Sequence, residues 1–372
     1  MSVEPVVQFS YAGDDFKITK DGVFVSLMYE ETLYGGGTYA FRFQTGNLKK
    51  IDRLMNNETQ EDGTLRWGFS IDGQDKLDDV RAIKCNMSKF FMDHFHLIGV
   101  TLRGTCAGFN RLWSCREDVY KKKPVSDIAK KIAEENDLES DVTGTKEKYT
   151  LWQCGDRDWE FLRDTLLPLA ATSSGRADYY LYVDKGKKLC FKTPDVGQSP
   201  VKRFVFSRDN SVASNVLSLT VDYDEYGQRA AGSRYTQIHG FDPKKKEVIE
   251  YKINDDTADF KYVQSGTKPK VPSKATSHLS VVLPDQEEYT DTQVRDAGRS
   301  IWSRHARQLF TMSLVTYPVI KVNVGEVVYV SVVDKAGATH FLSGNYLIAG
   351  IVQSISPLNW TTTFKLERRA HL

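Results

Sequence analysis

Apolar residues in the middle of the chain change their spacing in a definite order. Val125, Ile128, Ala129, Ile132 and Ala133 fall at i, i+3, i+4, i+7 and i+8, one stripe of a helix. Ser126 is the N-cap candidate, Asp127 suits the positive end of the helix dipole, and Asn136 is a stop signal. Tyr149, Leu151 and Gln153 then alternate as a short strand. Asp156 can cap a second helix with Trp159, Leu162 and Leu166 on one side, which Pro168 limits to about three turns. Tyr179 to Val183 and Leu189 to Phe191 flank Asp184-Lys185-Gly186 and predict a β-hairpin.

Ahead of this stretch the period is two. Phe16 and Ile18, then Val23, Val25 and Leu27, alternate with polar neighbours, as do Tyr39, Phe41 and Phe43 after Gly35-Gly36-Gly37. Leu65, Trp67, Phe69 and Ile71 precede Asp72-Gly73, and Phe95, Leu97 and Val100 to Leu102 lead into Gly104. Many short strands with glycine turns predict an antiparallel barrel or sandwich. The one helix predicted here is Leu48 to Met55, with Leu48, Ile51, Leu54 and Met55 inward.

After Pro200 strand patterns resume at Phe204 and Phe206 and from Val216 to Val221. Tyr226 to Lys274 is polar, with Lys268-Pro269-Lys270-Val271-Pro272 near its end, and is expected to be an inserted excursion of modest order. From Asp291, Val294, Ala297, Ile301, Trp302 and His305 keep helical spacing. Beyond Leu309 alternation returns: Thr311, Ser313 and Val315 against Met312, Leu314 and Thr316, then Val319, Lys321 and Asn323.

Composition narrows what these elements can do. With 50 basic and 49 acidic residues and a pI near 7.6, no global field draws the chain to nucleic acid or an anionic membrane. Its 372 residues suffice for two to three domains with ample cores. No apolar run approaches the ~20 residues of a membrane helix, and no charged-then-apolar leader opens the chain, so a soluble protein made in a cytoplasm is expected. The five cysteines (85, 106, 115, 154, 190) are scattered and form no Cys-x-x-Cys pair, which disfavours a disulfide framework and a structural zinc site. The Asn-x-Ser/Thr sites at Asn57, Asn86 and Asn359 carry no meaning in a cytoplasm.

Candidate chemistry is sparse. Gly35-Gly36-Gly37 lacks the Gly-Lys-Ser/Thr ending of a phosphate loop and suits a bend between strands. Asp93, His94 and His96 could suggest metal ligands, but a third ligand at fixed spacing is missing. His305 has no acidic partner nearby and is expected to be a packed or capped side chain. Lys121-Lys122-Lys123-Pro124 and Lys244-Lys245-Lys246 suit solvated connectors, the first a boundary. A glycosidase needs two carboxylates across a cleft, whereas Glu30-Glu31 and Glu287-Glu288 point in different directions on strands. Neither His-Glu-x-x-His nor Gly-x-Ser-x-Gly occurs. No catalytic, cofactor-binding or metal-ligating residue is assigned, and no cofactor is expected.

The segment Val125-Ser126-Asp127-Ile128-Ala129-Lys130-Lys131-Ile132-Ala133, then Tyr149-Thr150-Leu151-Trp152-Gln153, then Asp158-Trp159-Glu160-Phe161-Leu162-Arg163, resembles the baseplate hub of contractile phage tails, a module that also opens the trimeric spike of type VI secretion systems. Where that family usually has a Glu-Ser-Asp cap, this chain has Gly155-Asp156-Arg157-Asp158, and its loop from Ala170 to Asp178 is longer than usual. Near the C-terminus Val324 to Val330, Leu342-Ser343-Gly344-Asn345-Tyr346-Leu347-Ile348 and Trp360 to Glu367 resemble the family's second barrel, in the same order. Together the two matches cover about half of the chain.

The resemblance implies a mainly β, α+β chain with two antiparallel β-barrels, an α+β domain between them and an insertion in the second barrel. Laid on this sequence, residues 1–116 are the first barrel, 117–198 the helix-strand-helix-hairpin domain, 199–238 with 306–372 the second barrel, and 239–305 an insertion ending in a helix. It further implies a homotrimeric ring of six barrels, a symmetry adaptor between a hexameric tail tube and a separate trimeric spike protein. Tail tube protein, tape-measure protein and baseplate wedge proteins are the other partners implied, in a virion tail baseplate assembled in the host cytoplasm. Specific nucleic-acid recognition and a membrane segment are not expected. The alternatives are a tail-associated cell-wall hydrolase and a spike component of a type VI or related contractile injection system.

Overall fold

In a computed structural model of the chain the described residues are 3–11, 14–17, 23–47, 49, 52, 62–92, 98–194, 198–207, 213–223, 236–242, 246–253, 279–283, 289–308, 310–333, 340 and 342–368. Asp93, His94, His96, Asn57, the Glu287-Glu288 pair and all but two residues of the expected 48–55 helix lie outside them.

The first part of the chain runs β1 (Val3–Tyr11), β2 (Asp14–Lys17), β3 (Val23–Thr32), β4 (Thr38–Thr45), β5 (Gly63–Ile71), β6 (Gln74–Leu77), β7 (Arg81–Met92), β8 (Ile98–Cys106) and a short helix α1 (Ala107–Arg111). Strands form where alternation puts Tyr39, Phe41 and Phe43, or Ile98, Val100 and Leu102, on one buried face. The sheet order β3-β4-β8-β7-β5-β1-β2 curls back on itself. As a result Phe9 on β1 stacks 5.2 Å from Phe41 on β4, and Tyr29 on β3 lies 4.9 Å from Trp67 on β5. Alternation did not reveal β1 or β7. In β1 both Val6 and Val7 are buried, and β7 carries a bulge between Cys85 and Met87 and an exposed Phe91 beside Phe90.

The middle part runs β9 (Cys115–Pro124), α2 (Val125–Glu135), β10 (Glu139–Val142), β11 (Lys148–Arg157), α3, β12 (Tyr180–Asp184) and β13 (Lys188–Lys192). Helix α3 begins as one α-turn (Asp158–Glu160), continues as a π-helix (Phe161–Leu166) and ends in a 3-10 turn (Leu167–Leu169), where Pro168 stops it. Three expectations are corrected here. The lysine run is exposed, yet it is the end of a strand paired with β11 and not a connector. Ser126 is not the N-cap: the extended residue is Pro124, and the loop supplies the cap. There the Ser126 backbone N–H donates to Thr145 Oγ1 (2.9 Å) and the Thr145 N–H donates to Ser126 Oγ (3.1 Å). Asp156 caps nothing, because β11 continues to Arg157 past the left-handed Gly155, and α3 begins only at Asp158.

The hairpin β12–β13 is buried on both faces. Leu181, Val183, Leu189 and Phe191 join the core formed by α2 and α3, while Tyr180, Tyr182 and Cys190 join the core of the last part of the chain. Lys185 and Gly186 both have positive φ, as a tight hairpin turn requires.

The last part runs β14 (Lys202–Ser207), β15 (Val216–Tyr223), β16 (Thr236–Asp242), β17 (Glu247–Ile253), β18 (Leu279–Val282), α4 (Asp291–Gln308), β19 (Phe310–Thr316), β20 (Val327–Val333), β21 (Gly344–Ile355) and β22 (Trp360–Arg368). The expected excursion from Tyr226 to Lys274 contains the ordered hairpin β16–β17, with β18 pairing parallel to β16. This small sheet packs on α4 so closely that a Cβ on Gly240 would meet Val294 Cγ2 at 2.7 Å. Thr290 and Gln293 form a capping box, the Gln293 N–H donating to Thr290 Oγ1 (3.3 Å) and the Thr290 N–H to Gln293 Oε1 (2.9 Å). Helix α4 then joins the middle part: Gln293 Nε2 donates to the Lys148 carbonyl and Ser300 Oγ to that of Leu167, both at 3.0 Å. Val319, Lys321 and Asn323 are corrected from strand to irregular chain, with Lys321 at a positive φ.

The first and last parts share one sheet. Strand β21 pairs with β20 over Gly344–Leu347 and with β3 over Gly350–Ile355, while β22 pairs with it over Tyr346–Ile355, with a bulge between Ile348 and Gly350. Among the described residues neither part closes into a continuous ladder. Side chains bridge the gap between β14 and β15: Asn215 Oδ1 accepts from the Val205 N–H (2.7 Å), Asn215 Nδ2 donates to the Arg203 carbonyl (3.1 Å) and Ser214 Oγ to the Val205 carbonyl (2.9 Å).

Candidate functional site

Eight strands in the order β7-β8-β4-β3-β21-β22-β19-β15 form an unbroken antiparallel run across both β parts. One face of this run covers the two β cores. The other face places Lys89, Thr101, Arg42 and Ser26 in one row and Arg103, Ala40, Met28, Ser354 and Thr361 in the next. Small hydroxyl side chains dominate it, with Arg42, Lys89 and Arg103 gathered toward β7 beside the exposed Met28 and Phe91. At its two ends β7 beyond Ile83 and the length of β15 have no described strand along their outer sides. Because direction alternates over eight strands, these two open edges run in opposite senses.

A second concentration of function-bearing groups lies where the first part meets the β12–β13 turn. Arg81 is buried, its guanidinium 4.1 Å above the Trp67 ring and 5.2 Å above that of Tyr29. It pairs with Asp78 at 3.4 Å and donates to the Asp79 carbonyl at 2.9 Å. Glu31, 3% exposed, accepts a long hydrogen bond from the Lys185 N–H (3.4 Å). Burial pushes the Glu31 carboxyl up to about 7, only partly offset by Arg81. Burial likewise pushes the Cys106 thiol up to about 12 and raises the Tyr29 hydroxyl well above its usual range. Around this group the Ala82 and Gly108 N–H groups donate to the carbonyls of Lys185 and Gly186 (both 2.9 Å), Lys185 Nζ pairs with Asp79 (2.7 Å), and the Lys321 N–H donates to Asp78 Oδ1 (3.0 Å).

The residues singled out by sequence do not converge on either place. Gly35 to Gly37 form a turn into strand β4, where a Cβ on Gly36 would sit 2.1 Å from the Phe109 ring. Glu30 and Glu31 point opposite ways: Glu30 pairs with Lys365 on the outer face at 2.6 Å and Glu31 points inward. His305 lies in α4. Among the described residues no group of three His, Cys, Asp or Glu side chains could hold a metal ion, and no helix is long and apolar enough to cross a membrane. The eight-strand run is invisible to periodicity because four of its pairings, β8–β4, β3–β21, β22–β19 and β19–β15, join residues far apart in the chain.

No family model and no curated protein matches the chain. Solved structures do. A tail protein from Neisseria meningitidis has a TM-score of 0.63 at 14% identity, covering 98% of this chain and 96% of its own. A 43 kDa tail protein of prophage MuSo2 from Shewanella oneidensis has a TM-score of 0.60 at 13% identity, covering 99% and 98%. An E. coli component of the type VI secretion system, described as structurally similar to T4 bacteriophage tail proteins gp27 and gp5, has a TM-score of 0.54 at 13% identity, covering 94% and 77%. At these identities the likeness is one of fold, and the chain has the fold of phage tail proteins and of type VI spike-related proteins.

Proposed function

We propose that this chain is a structural baseplate hub of a contractile tail, three copies of which form a ring that joins a hexameric tail tube to a trimeric spike. The observation that carries this reading is the eight-strand run with open edges of opposite sense. Rotating a copy about an axis along the strands brings its β15 edge beside the β7 edge of the next, antiparallel, and an even strand count lets alternation continue around the ring. At ~4.8 Å per strand, three copies give a circumference of about 115 Å and a bore of roughly 35 Å between backbones. Closing the ring also hides the edges that would otherwise pair promiscuously.

In this reading residues 1–116 and 199–238 with 306–372 are two barrel-like units presented in pseudo-sixfold order, 117–198 is the intervening α+β domain, and 239–305 is an insertion that braces it. Tail tube protein and a separate spike protein are the partners, with tape-measure and baseplate wedge proteins adjoining, in the tail baseplate of a virion assembled in the host cytoplasm. The chain has no hydrolytic role of its own. The tail and spike-related structures of the same fold support the tail assignment.

Electron microscopy of the purified chain mixed with a trimeric spike protein tests this. Threefold rings with a bore near that estimate are expected. Finding only isolated chains in the presence of excess spike protein contradicts it.

A further inference from the structure

The two open edges of the eight-strand run differ in charge. Beside β7 the exposed face carries Arg42, Lys89 and Arg103, none of them paired with a carboxylate among the described residues. Phe91, on the same strand as Lys89, is 67% exposed. In the middle of the run Glu30 and Lys365 pair with each other. The row Glu30, Val352, Thr363, Val315, Ser218 places Ser218, and with it Thr220 and Asp222, on that same face at the β15 end. Asp222 is exposed and has no cation partner among the described residues, and Asp224 and Glu225 follow it in the sequence.

These charges decide which edges can meet. Two β7 edges would gather cations and two β15 edges carboxylates, so twofold pairing of like edges is opposed, whereas β15 against β7 is attractive and leaves each copy a free edge for the next. They also choose the register. An antiparallel match that keeps the exposed face continuous sets Lys89 and Phe91 opposite even-numbered residues of β15, so registers differ in steps of two. One of them puts Lys89 opposite Asp222, Phe90 opposite Val221 and Phe91 opposite Thr220, and it spans 88–92 and 219–223. It joins opposite charges, a half-buried aromatic ring with a half-buried β-branched side chain, and two exposed residues. A shift of two leaves Lys89 facing Thr220. The opposite shift sets Asp222 against the Phe91 ring and carries Lys89 past Tyr223, the end of β15.

We propose that an ion pair between Lys89 of one copy and Asp222 of the next sets the register of the ring contact and makes it head-to-tail, the partner of the β7 edge being the β15 edge of a second copy of this chain. This rests on the ring reading above and adds to it the residues that meet. Backbone pairing along the edge attracts any open strand, and the charges are what reject a like edge or a shifted register. The pair lies on the exposed face, so salt weakens it.

Sedimentation velocity of the full chain at low salt tests the pair by charge reversal. Lys89→Asp and Asp222→Lys should each weaken trimerisation, about fivefold per contact and about a hundredfold over the three contacts of a ring. The variant carrying both reversals should recover most of that loss. Thiol cross-linking reads the register independently, in a chain freed of its exposed thiols by Cys115→Ser and Cys154→Ser. There Lys89→Cys with Asp222→Cys should give covalent trimers with a short dithiol reagent, whereas Lys89→Cys with Ser218→Cys, about 14 Å out of register, should not. Trimers unaffected by both single reversals, a double reversal no better than either single one, or cross-linking that favours the Ser218 position would overturn the register and leave the ring standing. An unsubstituted chain that stays monomeric at every concentration overturns the ring and this contact with it. Should a reversal variant fail to fold, the cross-linking comparison decides alone.

Discussion

Asn136 Nδ2 donates to the carboxylate of Asp158 at 2.8 Å and, at the same distance, to the carbonyl of Ile132, so one side chain both ends α2 and starts α3. Asp158 is fully buried and also accepts from Arg116 Nε (2.7 Å) and Gln153 Nε2 (2.8 Å). Asp158→Ala strips a partner from three donors at once, one of them charged, and should cost about 3 to 5 kcal/mol. A lowered first thermal transition is the readout, and an unchanged one would show that the network is dispensable.

Trp159 shares a core with Ile128, Ile132, Leu162 and Leu166 and meets Phe109 edge to face at 4.9 Å. Trp159→Ala should cost about 3 to 5 kcal/mol and reduce soluble yield. A deletion within the polar stretch from Tyr226 to Lys274 must avoid β17, because Ile249 and Tyr251 pack on that same core. Replacing residues 254–272 with a short polar linker should therefore leave thermal unfolding near that of the full chain. A neutral tryptophan change with a damaging deletion would reverse this ranking.

Gly36 faces the Phe109 ring at a distance no Cβ tolerates. Gly36→Ala should cost about 1 to 3 kcal/mol by pushing that ring into Trp159 and Trp113. In the double variant Gly36→Ala with Phe109→Ala the two costs should sum to more than the measured loss, since the clash is gone. Strict additivity in thermal unfolding would refute the coupling.

Thiol labelling separates four of the five cysteines into two pairs. Cys115 and Cys154 are exposed and should react with maleimide within minutes at pH 7.5, whereas Cys106 and Cys190 are buried, with burial pushing their thiols up to about 12 and about 11. Mass spectrometry of the native chain should find the second pair unlabelled until denaturant is added. Rapid labelling of Cys106 would mean that the junction beside Glu31 is open.

Local order was legible where one periodicity ran without interruption, as in α2 and α4, and where a turn signal separated two apolar runs, as in the β12–β13 hairpin. It was illegible where tertiary contacts overrode local signals. Pro124 took the N-terminal position that Ser126 suggested because β9 runs straight into the helix, and the cap came from Thr145, across a loop. Glu31 sits in a run of polar residues that looks solvated, and only the arrival of the turn at Lys185 encloses it. Likewise β21 could be recognised as a strand, but not its bond to β3, since Gly350 and Thr32 pair across most of the chain. The candidate surface depends on that pairing, so it was the least legible part.

Everything proposed for the eight-strand surface depends on three chains closing into a ring, and light scattering of the native protein, with and without a trimeric spike protein, decides whether they do. A species at three times the 42.2 kDa chain mass is predicted for the protein alone, favoured at higher concentration, and one at that mass plus the spike's in the mixture. A stable dimer or tetramer under both conditions would contradict the ring.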